Sequence, residues 1–158
     1  MNFSESALYR HFKSKDEIIL TMLNYIAENF QKKFAKCLSD KTDPETQLRE
    51  LFKNQLEFFS AQPHFLIPVI SDGLFDENKL INEALLKIMD NTRKIFTGVI
   101  KKGQKEKVFR NDIQAEDLTH MIMGSFRLLM FQWRTAEFKF DIKQKGSGMI
   151  SALFQILK

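Results

Sequence analysis

Met1-Asn2-Phe3-Ser4-Glu5-Ser6-Ala7-Leu8-Tyr9-Arg10-His11-Phe12-Lys13-Ser14-Lys15-Asp16-Glu17 is the stretch from which the rest of the chain is read. It holds two helix starts in quick succession. Ser4 is placed to cap a short helix from Glu5 to about Phe12. Ser14 is a second cap, and Glu17 three residues on completes a capping box. A short helix, a tight joint and a long helix, carrying Tyr9, Arg10, His11, Lys13 and Lys15, suit a helix-turn-helix reader of DNA. The same pattern would also arise from a capped helical joint with a solvated basic face.

Ser6-Ala7-Leu8-Tyr9-Arg10-His11-Phe12-Lys13-Ser14-Lys15, followed by Asp16-Glu17-Ile18-Ile19-Leu20, closely resembles the most characteristic segment of the tetracycline-repressor-like (TetR) family of transcriptional regulators. That segment spans the family's recognition helix and the start of the next helix. The resemblance implies an all-α fold. In it, the remnant of a helix-turn-helix head is joined by a long connector helix to a C-terminal helical regulatory and dimerisation domain. Two further helices precede this segment in the family. With the chain beginning at Met1, residues 1–16 are expected to be a truncated DNA-binding head and residues 17–158 the ligand-binding and dimerisation domain. Operator binding weaker than that of a chain with the full head is expected to follow.

The composition agrees with helices. At 158 residues the chain is one globular unit with a full core. Phe is abundant at 16, Gly and Pro number 6 and 3, and no β-branched alternating run is present. A net charge of +4 permits contact with nucleic acid without arguing for it. The single Cys37 excludes a disulfide framework within one chain and fits a reducing cytoplasm. There is no apolar run of membrane-spanning length and no signal peptide, so a cytoplasmic location without membrane contact is expected.

Beyond Ser14 the apolar positions keep helical spacing. Ile19, Met22, Leu23, Ile26, Phe30, Phe34 and Leu38 predict a helix from Lys15 to about Leu38, roughly 36 Å long. Ser39 to Thr42 is a break. Asp43 then caps a helix with Pro44 in its first position, running to about Ala61 and burying Leu48, Leu51, Phe52, Leu56 and Phe59. Gln62-Pro63 stops it, and a short apolar helix over Phe65 to Ile70 is expected to be interrupted by Pro68. Asn78 caps a long helix, about Lys79 to Lys105, striped by Ile81, Ala84, Leu85, Ile88, Ile95, Phe96 and Val99. Lys101, Lys102, Lys105 and Lys107 crowd its end, as a solvated helix terminus or a nucleic-acid patch. Val108 to Ile113 is a turn that again resembles the family. Ala115 to about Ala136 is apolar nearly all round, so it must be covered on every side. Gly146 to Lys158 closes the chain. These last two helices pair in the family with their copies in a second subunit, which implies a homodimer.

In the recognition helix, Glu5, Ser6 and Arg10 are the candidates for base edges, with Ser4 as its cap. Tyr9, His11, Lys13 and Lys15 resemble the family's phosphate contacts, which set register. Phe58, Phe59, Phe65, Phe75, Ile88, Met89, Phe96, Met123, Phe126 and Met130 are candidates to line a cavity for a small apolar ligand. Thr92, His120, Arg127 and Gln132 are the polar residues placed among them. A solid core would use the same residues. No enzyme activity, metal site or cofactor is expected. His11, His64 and His120 lack ligand spacing, and no Ser-His-Asp pattern or Gly-rich phosphate loop occurs.

The expected function is a DNA-binding transcriptional regulator, a ligand-responsive repressor that binds an operator as a homodimer. Two alternatives remain at this point. Asn2 to Phe12, Asp72 to Asp76 and Glu137 to Phe140 are also similar to the nucleoid-occlusion branch of the family, which binds DNA and restrains assembly of the division protein. An open apolar cavity favours the regulator; a filled one favours that branch. The other alternative is a truncated dimeric interaction protein that does not read DNA.

Overall fold

A computed structural model describes residues 12–38, 42–70 and 78–158, and the regular structure among them is helical throughout. In chain order the helices are α1 (Lys15–Cys37), α2 (Pro44–Ala61), the four-residue α3 (Ile67–Ile70), α4 (Lys79–Lys105), α5 (Ala115–Thr135) and α6 (Ile142–Leu157). A 3-10 turn over Pro63–Leu66 runs directly into α3. The candidates Ser4, Glu5, Ser6, Tyr9, Arg10, His11 and Phe75 lie outside the described residues.

Among the described residues, four of the five long helices begin where a short polar side chain satisfies free backbone N–H groups; at the start of α5, Gln114 makes no side-chain cap bond. Ser14 Oγ accepts from the N–H of Glu17 at 3.2 Å. The Glu17 carboxylate returns to the N–H of Lys13 at 2.6 Å, one residue before the cap rather than at it. Asp43 Oδ1 accepts from Thr46 at 2.9 Å, with Pro44 beside it in the first turn. Asn78 Oδ1 accepts from Leu80 at 2.9 Å and Ile81 at 3.4 Å. α4 ends where Lys107 turns left-handed (φ 60°), so that Val108 and Phe109 both donate to the carbonyl of Gly103.

Two boundaries depart from the sequence-based expectation. Pro68 does not interrupt the short helix. It sits in the first turn of α3, where a missing N–H costs no helical bond. The last helix starts at Ile142, not Gly146, because Asp141 caps it, accepting from Lys143 at 2.9 Å and Gln144 at 3.1 Å. Gly146 is therefore inside α6, and it faces α2. A Cβ there would come within 2.6 Å of the Leu56 side chain, so the missing side chain is what lets the two helices approach.

α4 is the axis of the packing, touching α1, α2 and α5, while α6 closes over α2 and α5. Its buried stripe of Ile81, Leu85, Ile88, Thr92, Phe96 and Val99 meets Leu23, Ile26, Phe30 and Phe34 of α1 and Leu48, Leu51 and Phe52 of α2 in one core. Lys101 pairs with Glu116 at 2.6 Å, and Lys102 donates to the carbonyl of Thr42 at 2.9 Å. Two of the four lysines crowded at the end of α4 thus hold neighbouring elements. α5 buries Leu118, Ile122, Phe126, Met130 and Trp133. Its opposite face leaves Met121, Leu128 and Phe131 open, 56%, 57% and 46% exposed within the single chain. Among the described residues no helix is long and apolar enough to cross a membrane.

The joint after α4 supplies a sharp packing test. A Cβ on Gly103 would lie 2.1 Å from the ring of Phe109, which is itself buried. Gly103→Ala is expected to destabilise the fold by about 1–3 kcal/mol through overpacking. Thermal unfolding should then fall by about 2–4 °C per kcal/mol. An unchanged melting temperature would show that Phe109 moves aside freely.

Candidate functional site

The apolar faces of four helices do not close completely. Between them lies a cavity of about 410 Å3, within the range of small-molecule sites. α1 contributes Ile26 and Phe30, α2 contributes Phe52, Gln55 and Phe59, and the 3-10 turn and α3 contribute Leu66, Val69 and Ile70. α4 adds Ile88, Met89, Thr92 and Phe96, and α5 adds Met123, Phe126 and Met130. Phe rings form much of the wall and fix its shape. Phe52 meets Phe96 edge to face at 5.1 Å between centroids, and Phe30 meets Phe59 the same way at 5.9 Å.

The exposed lining residues gather along the seam of α4 and α5, which marks the mouth. These two helices run antiparallel, registered by the Lys101–Glu116 pair and by Thr97 Oγ1 donating to Thr119 Oγ1 at 3.0 Å. Leu86, Asp90 and Arg93 of α4 face His120, Gly124 and Arg127 of α5 across the opening. Hydrogen bonds from Lys94 and then Arg93 hold the Asp90 carboxyl below its ordinary range, so it stays ionised with its charge shared by two cations. Arg127 Nη1 donates to the carbonyl of Val69 at 3.2 Å, tying α3 to α5 beside the mouth. The opening is therefore net basic, above an interior without charged side chains.

The sequence candidates divide as follows. Phe59, Ile88, Met89, Thr92, Phe96, Met123, Phe126, Arg127 and Met130 all come together on the cavity wall, with His120 at its edge. Phe58 and Phe65 do not line it. They pack with Tyr25 in a neighbouring aromatic cluster, 6.2 Å and 5.1 Å from its ring. Gln132 faces solvent on α5. Lys13 and Lys15 are exposed at the start of α1, on the end of the molecule that leads to residues 1–11.

Sequence reasoning missed Gln55 as a lining residue. The signal was present: Gln55 stands between Leu51 and Phe59 at helical spacing, a polar residue on an apolar stripe. It also missed Ile26 and Phe30, which spacing marks as buried without saying against what.

No chemical centre accompanies the cavity. Among the described residues no three His, Cys, Asp or Glu side chains stand together as metal ligands. Cys37 accepts from Asn54 Nδ2 at 3.1 Å and donates to the carbonyl of Lys33 at 3.3 Å. Burial, then the Glu50 carboxylate, push its thiol up, which keeps it protonated at neutral pH.

Known proteins are similar to this chain in sequence and in fold. The sequence profile described as tetracyclin repressor-like, C-terminal domain, matches residues 44–145. The HTH-type transcriptional repressor NicS of Pseudomonas putida is 25% identical over 111 residues, 70% of this chain and 52% of that protein. The nucleoid occlusion factor SlmA of Aliivibrio fischeri is 28% identical over 127 residues, 78% of this chain and 65% of that protein. The chain thus spans between half and two thirds of the length of these curated relatives. Among solved structures, the MbdR regulator from Azoarcus sp. CIB superposes with a TM-score of 0.79 at 20% identity, covering 94% of this chain and 80% of that one. The transcriptional regulator FadR from Bacillus subtilis, solved in complex with stearoyl-CoA, does so at 0.75 and 16%, covering 96% and 81%. At these identities the structural likeness establishes the fold.

Phe96 belongs to both the core and the cavity wall, being 1% exposed and in ring contact with Phe52 and Phe34. Phe96→Ala should cost about 3–5 kcal/mol in denaturant unfolding and merge its vacated volume with the cavity. A loss below about 1 kcal/mol would mean that the surrounding helices collapse into the space.

Proposed function

The chain belongs to the tetracycline-repressor-like family, and from that premise we propose that it serves as the sensing and dimerising part of a DNA-binding transcriptional regulator, a ligand-responsive repressor. Residues 1–16 act as its DNA-reading segment and residues 17–158 as its ligand-binding and dimerisation body. Ser4 caps the recognition helix, Glu5, Ser6 and Arg10 address the bases, and Tyr9, His11, Lys13 and Lys15 address phosphates. The repressor named among its relatives supports the reading as a transcriptional repressor.

The observation that carries the reading is that the open cavity is walled partly by α1, the helix that leads from the DNA-reading segment. Ile26 and Phe30 line the cavity on α1, and Lys13 and Lys15 stand at its start. A second tie runs from α4. Asn78 caps that helix with its Oδ1 and donates from Nδ2 to Asp16 of α1 at 2.6 Å. A ligand pressing on α1 and α4 therefore acts on the helix that sets the spacing of two heads in a dimer. It shifts that equilibrium only by its differential affinity for the two spacings.

The second subunit covers the faces that a single chain leaves open. Met121, Leu128 and Phe131 on α5 lie on one side of the helix, with the small Gly124 and Ser125 among them, and Ile156 on α6 is 55% exposed. Two such helices from each subunit make a self-complementary bundle. The relative that acts in nucleoid occlusion gives a second reading, DNA binding without a ligand. The open apolar cavity favours the sensor over it.

Two measurements test these assignments. Light scattering at micromolar concentration should give a dimer, and Leu128→Glu should give a monomer with unchanged helical circular dichroism. A wild-type monomer would remove the α5–α6 interface. In gel shifts with the DNA flanking its gene, binding by the protein that carries these residues should weaken with salt. Lys13→Ala and Lys15→Ala should each lower affinity across sequences and reduce the salt slope by about 1. Binding indifferent to both changes would remove these two residues from the DNA contact.

A further inference from the structure

The cavity interior is apolar except at two places on its buried floor. Gln55 on α2 and Thr92 on α4 both line it, and each is only 7% exposed. α2 and α4 run antiparallel, as the Lys102–Thr42 bond and the Phe52–Phe96 ring contact show. One turn beyond that ring pair, Gln55 and Thr92 occupy facing turns. Among the described residues, neither side chain takes part in a hydrogen bond. The buried pair Thr97 and Thr119 is different: Thr97 donates to Thr119, which donates to the carbonyl of Ala115 at 2.7 Å. The fully enclosed unpartnered side-chain atom among the described residues is Asn29 Oδ1, so the polar atoms of Gln55 and Thr92 keep contact with the cavity space; enclosing an amide there without partners would be unfavourable. A leucine at position 55 would fill the apolar stripe of α2 without that cost.

We propose that Gln55 and Thr92 form a polar anchor for a compact, mainly apolar ligand that buries one neutral hydroxyl group. The inference rests on the reading of this cavity as the sensing site. The group must be neutral, because the charged lining residues Asp90, Arg93 and Arg127 are all at the mouth. An ion on the floor would be buried without compensation. An amide and a hydroxyl each offer both a donor and an acceptor. A ligand hydroxyl can therefore donate to Gln55 Oε1 while accepting from Thr92 Oγ1, or accept from Gln55 Nε2 while donating to Thr92 Oγ1, and so engages both side chains at once. The surrounding Phe52, Phe59 and Phe96 rings suit an aromatic or alicyclic body.

Equilibrium dialysis of the purified protein at neutral pH with 1-naphthol and 1-methylnaphthalene tests the anchor. Burial of apolar surface alone favours the methyl compound. A preference for 1-naphthol of about tenfold is expected instead, the scale of a buried hydrogen-bonding group left unpaired. Gln55→Leu and Thr92→Val should each erode that preference, and their combination should reverse it. Gln55→Leu should also raise the melting temperature; if it fails to fold, Thr92→Val alone decides. Equal binding of both probes to the wild type, or a preference that survives in the double variant, would overturn the anchor and leave the sensing cavity standing. Binding of neither probe at its solubility limit would overturn the cavity reading, and the anchor with it.

Discussion

The edge-to-face contact of Phe52 with Phe96, 5.1 Å between centroids, fixes how α2 crosses α4, and much of the molecule depends on it. Phe96 also meets Phe34 of α1, and Phe52 also meets Phe126 of α5. Four helices are thus registered through one cluster of rings. Just beyond the cluster the packing opens into the cavity. Core and site are therefore neighbouring parts of one aromatic arrangement, which is why a change at Phe96 touches both.

Helix ends carry the second layer of the design. Asn78 satisfies the start of α4 with one side-chain atom and holds Asp16 of α1 with another. Arg127 holds α3 against α5 through the carbonyl of Val69. Arg110 pairs with Asp112 through two bonds and meets the last turn of α6 through the carbonyls of Leu157 and Ile156. That guanidinium holds the Asp112 carboxyl down at about 2, so the pair is charged throughout the physiological range. Such exposed bonds add little stability one by one. Their effect is geometric: each sets the relation between elements that the apolar core leaves free to slide.

Most element boundaries were legible in the sequence because capping is local chemistry. Ser14, Asp43 and Asn78 needed only their own next three residues to be recognised, and each caps the helix expected of it. Asp141 follows the same rule, although the last helix is expected from the sequence only from Gly146 on. Whether a glycine breaks a helix or makes room beside it depends on Leu56, ninety residues earlier in the chain. In the same way Phe58 and Phe59 are adjacent and chemically identical. Only the crossing of α1 over α2 sends one to the Tyr25 cluster and the other to the cavity.

By itself, then, the sequence determined the all-helical class, the helix starts and the apolar stripe of each helix, because periodicity and caps act over a few residues. It also carried, in Ser6 to Leu20, the likeness that points to the family. Tertiary structure alone decided that the stripes leave a cavity, that Gln55 and Thr92 share its floor, and that Met121, Leu128 and Phe131 remain uncovered. Those facts arise from helix crossings between residues far apart in the chain. A stripe can state that a face is buried, but only the packed molecule determines what that face meets.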